Sequence, residues 1–375
     1  MKTIVVKGAY GDANFGDDAL MCTIENFFIE NNLDLNVTFC GNINGYCERF
    51  LERSEYLDVS GGKSMLADLL IYGGGTQFFL FNSNKGNFYL RFFLRLLKQD
   101  PKLLILKVRN RLFGRKMLPA ERFVGLGLGL GPFNPENDRL EYIKSLVRRM
   151  DLLFVRDEIS LSYCRDWECD NVNEGADICY SRFLNYQAPV GIGAGNGQIN
   201  KQRKRIGVIV RDWKHNEEGN GFRQTLLDIV DSPEYAGYEF TFIIFSDLQD
   251  LQWKGIINER KYALLKWDPF NNHINDFLDT LNGFDGFITA RYHGGVFASL
   301  LNKPAVCIAI EPKLSILSEQ IKGFRLWDKP FRTEDLKEAI RVFDDNNFDC
   351  SGSVNLLKKK ADAMFDSLRQ YLREL

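Results

Sequence analysis

Short apolar runs alternate with amphipathic stretches along this chain, and the two periods can be read separately. Residues 3–6, 37–40, 69–72, 123–126 and 152–155 are β-branched or aromatic runs of strand length. Between the first two, Ala19, Leu20, Ile24, Phe27 and Phe28 recur at helical spacing, predicting a helix over 17–30. The pattern repeats further on, with strands at 206–210, 240–245, 287–290 and 305–310 and helices at 222–230, 275–282, 296–301 and 314–322. A last helix, from about Ser353, places Val354, Leu357, Ala361, Met364, Leu368 and Leu372 on one face that must pack on something.

Strands alternating with helices imply parallel sheets, and 375 residues is long for one core. The stretch 186–205, rich in Gly, Asn, Gln and Lys, has the composition of a linker. It separates a domain at 1–185 from one at 206–345, with the helix of 346–375 following. The fold class expected is α/β: two Rossmann-like domains in a GT-B-like arrangement, with the active site in the interdomain cleft where strand C-termini converge.

Composition narrows the function classes. With 45% hydrophobic and 26% charged residues and a net charge of −2, the chain is not a general nucleic-acid binder. The first residues lack the apolar run of a signal peptide and no run reaches membrane-spanning length, so a cytoplasmic location is expected. Eight cysteines show no metal spacing, and neither a metal nor a cofactor is expected. One local feature departs from the average: residues 85–116 carry ten Lys and Arg against one Asp, interleaved with aromatics. This is either a peripheral contact with the inner membrane surface or a buried helix whose cations reach solvent.

The candidate chemistry sits at strand-to-helix junctions. Strand 287–290 runs into Arg291, Tyr292, His293, Gly294 and Gly295 before a helix, placing a permanent cation and a proton-transfer group at a helix N-terminus, where anions bind. Of three histidines only His293 occupies such a junction. The alternative is an Arg291 paired to an internal carboxylate and a core His293. The first junction, Gly8 to Asp18, is no phosphate loop, because it carries Asp12, Asp17 and Asp18. It reads as a loop for sugar hydroxyls, with Asp12 and Asn14 as contacts and Asp17 or Asp18 as a general base, or else as a helix N-cap. Gly74 and Gly75 end the strand at 69–72, and Gly129 to Pro132 follows another; both permit close approach of a ligand or form tight turns. The alternate glycines at 125–131 do not fit the dinucleotide fingerprint, since Leu130 and Pro132 stand where glycine is required. Arg156, at the next strand end, faces either an anion or an internal partner such as Asp157 or Asp177.

Several of these pieces together resemble the polysaccharide pyruvyl transferase family. The matching segments are Asn14 to Asp17, Gly129 to Pro132, Val155-Arg156-Asp157, Arg211, Arg291-x-His293 and Pro304 to Lys313, with Tyr292 replacing the usual leucine. The resemblance implies phosphoenolpyruvate as donor substrate, a sugar or lipid-linked oligosaccharide as acceptor, and a pyruvate ketal as product. Arg211, Arg291, Tyr292, Gly294, Lys313 and Arg156 are then expected on the donor side. His293, Asp17 and Asp18 are expected to move protons, and Asp12, Asn14, Gly74 and Gly75 to meet the acceptor. Lys313 would neutralise the leaving phosphate, or is an ordinary surface lysine. Two other classes share this outline: a nucleotide-sugar glycosyltransferase, for which Glu311 is the candidate ribose ligand, and a non-catalytic glycan-binding protein.

Overall fold

A computed structural model of the chain describes residues 1–42, 45–58, 66–80, 120–134, 137, 139–187, 203–213 and 218–375. The basic stretch at 85–116 and residues 188–202 of the expected linker lie outside these residues.

The first sheet contains β1 (Lys2–Lys7), β2 (Leu35–Gly41), β3 (Glu55–Asp58), β4 (Ala67–Leu80), β5 (Ala120–Phe133), β6 (Leu152–Val155) and β7 (Val172–Glu174). It is parallel throughout, in the order β3-β2-β1-β4-β5-β6-β7. Helices α1 (Phe15–Asn31), α2 (Arg139–Arg148) and α3 (Glu158–Asp166) accompany it. The second sheet contains β8 (Lys204–Ile209), β9 (Tyr238–Ile244), β10 (Leu264–Lys266), β11 (Gly286–Thr289), β12 (Ala305–Ile308) and β13 (Arg325–Trp327), in the order β10-β9-β8-β11-β12-β13 and again parallel. Its helices are α4 (Phe222–Val230), α5 (Leu251–Arg260), α6 (Ile274–Asn282), α7 (Tyr292–Leu300), α8 (Pro312–Gln320) and α9 (Thr333–Ile340). Among the described residues no helix is long and apolar enough to cross a membrane.

Two boundaries differ from the reading of the sequence. Strand β8 starts at Lys204, inside the range assigned to the linker. The glycines at 73–75 and 125–131 do not end their strands: β4 and β5 run through them as fourteen-residue strands. Gly74 and Gly75 have φ of +75° and +73°, and the β4–β5 register shifts just beyond them, so these glycines make an irregularity inside the sheet rather than a loop after it.

In each sheet the order reverses direction beside the first strand, between β1 and β4 and between β8 and β11. Loops leaving the C-terminal ends at such a switch point diverge and leave a crevice. The β1–α1 loop and the β11–α7 loop come from these two points, and they meet. Phe15 is fully buried, with its ring centroid 4.6 to 5.1 Å from those of Phe245, Trp267, Phe277 and Phe297 of the second domain. Its amide donates to the Phe245 carbonyl (3.0 Å). One continuous core therefore passes through both domains. The last helix, α10 (Ser351–Arg373), buries the six apolar positions expected of it and returns to the first domain, packing Phe365 at a tilt against Phe27 and edge-on against Phe183.

Candidate active site

Between the domains lies a pocket of about 210 Å³. Arg156 reaches it from the end of β6, Arg211 from the end of β8, and Glu311 and Lys313 from the start of α8. The backbone of Gly129 to Pro132 lines one side, and Phe79, Ile159, Tyr163 and Ile316 supply an apolar flank.

Two cations share one carboxylate here. Glu311 Oε1 accepts from Arg211 Nη1 and lies 3.1 Å from Lys313 Nζ. Burial alone would push the Glu311 carboxyl up, but Lys313 and Arg211 outweigh it and hold the group below its usual range. Burial also brings the Lys313 ammonium down to about 8, with Glu311 opposing the shift and Arg211 adding to it. Lys313 is thus no ordinary surface lysine.

Arg156 is buried. Its Nη1 donates to Asp177 (3.0 Å), its Nη2 donates to Thr76 (3.0 Å), and its guanidinium lies 4.0 Å from the Tyr292 ring centroid. The internal pairing with Asp177 is present, in a side chain that also lines the pocket. Gly129 makes room for it, because a Cβ there would lie 2.8 Å from the guanidinium.

His293 occupies the first turn of α7 but is not a lining residue of the pocket. Its ring packs against Gly16 of the first domain, where a Cβ would come within 2.1 Å of Nδ1. Its Nε2 lies 3.5 Å from Asp177 Oδ2. Burial would raise the Asp177 carboxyl, but His293, Arg156 and the Cys179 amide together hold it well below the usual range. Asp177, Cys179 and His293 form a compact group of potential metal ligands. Their chemistry is against a cation, since Asp177 already carries the Arg156 guanidinium and burial pushes the Cys179 thiol well up.

Four expected site residues have structural duties instead. Arg291 is buried, donating to Asp250 (2.5 Å) and to the Val210 carbonyl (3.3 Å), so it is spent on an internal carboxylate rather than facing a donor. Asp18 is fully buried and accepts from Tyr46 (2.8 Å) and from Trp267 of the second domain (2.8 Å). Each oxygen accepts one hydrogen bond, and the bond from Trp267 ties the two domains, so this acid is placed in the core between them rather than in the pocket. Gly294 faces Thr289 and Ile209, where a Cβ would lie 2.2 Å from the threonine hydroxyl, so its missing side chain serves strand-to-helix packing. Tyr292 is buried between Arg156 and Lys313 and supports those cations without lining the pocket.

On the facing side, Asn14 caps α1 through the Gly16 amide (3.3 Å) and donates to Asp17 (2.7 Å). The cap of this helix is therefore neither Asp17 nor Asp18. Asp17 is partly buried, and burial raises its carboxyl while His293 opposes the shift. A Cβ on Gly75 would lie 3.9 Å from an Asp17 oxygen, placing the glycine irregularity of β4 beside this acid. Asp12 accepts from Asn42 (2.8 Å) at the outer end of the loop. Thr76 and the apolar flank carried no sequence signal, whereas Asp177 had one in Gly175-Ala-Asp177 after a strand.

Similar folds are found in the S. aureus MnaA structure with UDP (TM-score 0.57, 10% identity, 100% of this chain and 98% of that one). They recur in Anabaena HepE in complex with UDP-glucose (0.55, 13%, 100% and 99%) and in UDP-GlcNAc 2-epimerase from Methanocaldococcus jannaschii (0.52, 12%, 98% and 99%). At such identities the likeness shows the fold alone, a GT-B-like pair of α/β domains. No curated protein sequence matches the chain. A family model does, over residues 14–312, a span containing β8 to β12, the Asp17 loop, and every charged residue of the pocket except Lys313, which lies one residue beyond it. The chain belongs to the polysaccharide pyruvyl transferase family.

Proposed function

We propose that the interdomain pocket binds phosphoenolpyruvate and that the protein transfers its pyruvyl group to two hydroxyls of a sugar in a polysaccharide or its precursor. The observation that carries this reading is the Arg211–Glu311–Lys313 arrangement beside Arg156, in which two cations share one carboxylate at a pocket opening between the domains. A donor bearing a phosphate and a carboxylate matches such a set, because guanidinium groups pair with either anion bidentately.

The chemistry divides among named groups. His293 gives a proton to the enol methylene, which becomes a methyl group and leaves oxocarbenium character at the central carbon. One sugar hydroxyl adds there while Asp17, its carboxyl raised by burial, takes the hydroxyl proton. The C–O bond to phosphate then breaks, with Arg211 and Lys313 balancing the charge of the departing group, and the second hydroxyl closes the ketal. One hydroxyl proton replaces the one spent on the methylene and the other leaves with hydrogen phosphate, so the exchange balances. Asp12, Asn14, Gly74 and Gly75 form the acceptor side in this reading.

Incubation with phosphoenolpyruvate and a sugar panel, in parallel with nucleotide sugars, tests the assignment. Phosphate release that depends on both donor and acceptor is expected. Release of nucleotide from a nucleotide sugar would transfer the site to glycosyl chemistry, with Glu311 as the candidate ribose ligand. Binding of sugar with neither release would make the protein a glycan binder.

A further inference from the structure

Asp177 stands at the junction of the pocket, the candidate proton donor and the domain boundary. It follows β7, is buried, and has Oδ1 fixed by the Cys179 amide (3.1 Å). Its Oδ2 accepts from Arg156 Nη1 (3.0 Å) and lies 3.5 Å from His293 Nε2. That nitrogen is sealed from solvent and has no hydrogen-bond partner. Arg156 and Asp177 belong to the first domain, whereas His293 belongs to the second.

We propose that Asp177 is a positioning residue that orients the His293 imidazole across the domain boundary and couples it, through Arg156, to occupancy of the anion pocket. This inference rests on the reading of His293 as proton donor to phosphoenolpyruvate. One oxygen faces both the Arg156 guanidinium and the His293 ring, so a change at either is felt by the other. When an anion engages Arg156, its hold on Asp177 Oδ2 loosens and the same oxygen turns to His293, closing the 3.5 Å gap to a hydrogen bond. The imidazole is then both aimed and counterbalanced by a carboxylate held ionised. The other titratable groups around His293 are Asp17 from α1, Tyr292 from its own helix and the Cys179 thiol beside Asp177. Tyr292 also lies against Arg156, but with its ring face; the carboxylate that accepts from that guanidinium is Asp177.

The test is histidine NMR on the full chain, with His293 assigned by its absence in His293→Gln, combined with kinetics of Asp177→Asn. Asparagine keeps the acceptor for the Cys179 amide, and Arg156 keeps Thr76. In the parent, phosphoenolpyruvate should shift the His293 ring signals. In Asp177→Asn that response should be lost, because the oxygen that links Arg156 to the ring is gone. The turnover kcat should fall at least ~10-fold, towards the ~10² to 10⁴ that general acid help is worth, with KM changing less. A raised KM with kcat and the His293 signals unchanged would mean that Asp177 serves Arg156 only, and overturns the proposal. If the variant does not fold, the response of the parent's His293 to phosphoenolpyruvate decides, and its absence overturns the proposal. If the parent forms no ketal yet Asp177→Asn still abolishes the response of the His293 ring signals to phosphoenolpyruvate, the positioning role stands and the reaction assigned to the site is what fails.

Discussion

Lys313 gives the pocket a pH dependence that can be worked out in advance. Burial brings its ammonium down to about 8, against the pull of Glu311. An anion binds the protonated form, so affinity is full below about pH 7 and falls as the proton is lost through pH 8. At pH 9 about one lysine in ten remains protonated, and restoring the charge costs about 1.4 kcal/mol, close to a tenfold weaker Kd than at pH 7. The ligand does not blur this, because a phosphate monoester has lost its second proton by about pH 7 and arginine keeps its charge throughout. Calorimetry with phosphoenolpyruvate from pH 7 to 9.5 reads both the slope and, in buffers of different ionisation enthalpy, uptake of about one proton at pH 9. Lys313→Met should bind more than ~10-fold more weakly at pH 7 and show no slope. A parent Kd constant across the range, or a slope that survives in Lys313→Met, would refute the assignment of Lys313 to the anion site.

Phe15→Ala should cost about 3–5 kcal/mol in chemical unfolding, since it empties an aromatic site that joins the two domains; a loss under about 1 kcal/mol would mean that the domains hold together without it. Asp18 is lifted to about 8 by burial, against hydrogen bonds from Trp267 and Tyr46, so its contribution to stability is complete below about pH 4 and is lost as pH rises to about 8. The non-titrating Asp18→Asn should therefore gain on the parent in urea unfolding between pH 5 and 8, and a constant difference would contradict this. Gly129→Ala pushes a methyl to 2.8 Å from the Arg156 guanidinium, so donor affinity should drop several-fold with circular dichroism unchanged; unaltered affinity would remove Arg156 from the donor site.

The parallel framework was legible because its central strands are long apolar runs, and helix 222–230 matches the structure at both ends. Short edge strands such as β10, Leu-Leu-Lys, and β13, Arg-Leu-Trp, escape such reading, because three residues at a sheet edge carry no period. The glycine runs in β4 and β5 misled for a different reason. Glycine permits a loop, but the pairing partners that keep a strand going are distant in sequence. Of the two junction residues, His293 lies at the domain boundary, whereas Arg291 is consumed by Asp250, forty-one positions earlier, which no local pattern reveals. Asp18 and Asp17 are adjacent and alike in sequence. Only the fold decides that one meets Trp267 and the other lies beside Gly75 and His293.

The most direct test of pyruvyl transfer is to run the reaction in deuterium oxide and examine the product methyl group by NMR. If His293, exchanged with solvent, protonates the enol methylene, phosphate release should match formation of a pyruvate ketal whose methyl carries a single deuteron, and His293→Gln should abolish both while leaving donor affinity within a few-fold. A ketal methyl without deuterium, or ketal formation by His293→Gln near the parent rate, would contradict the account.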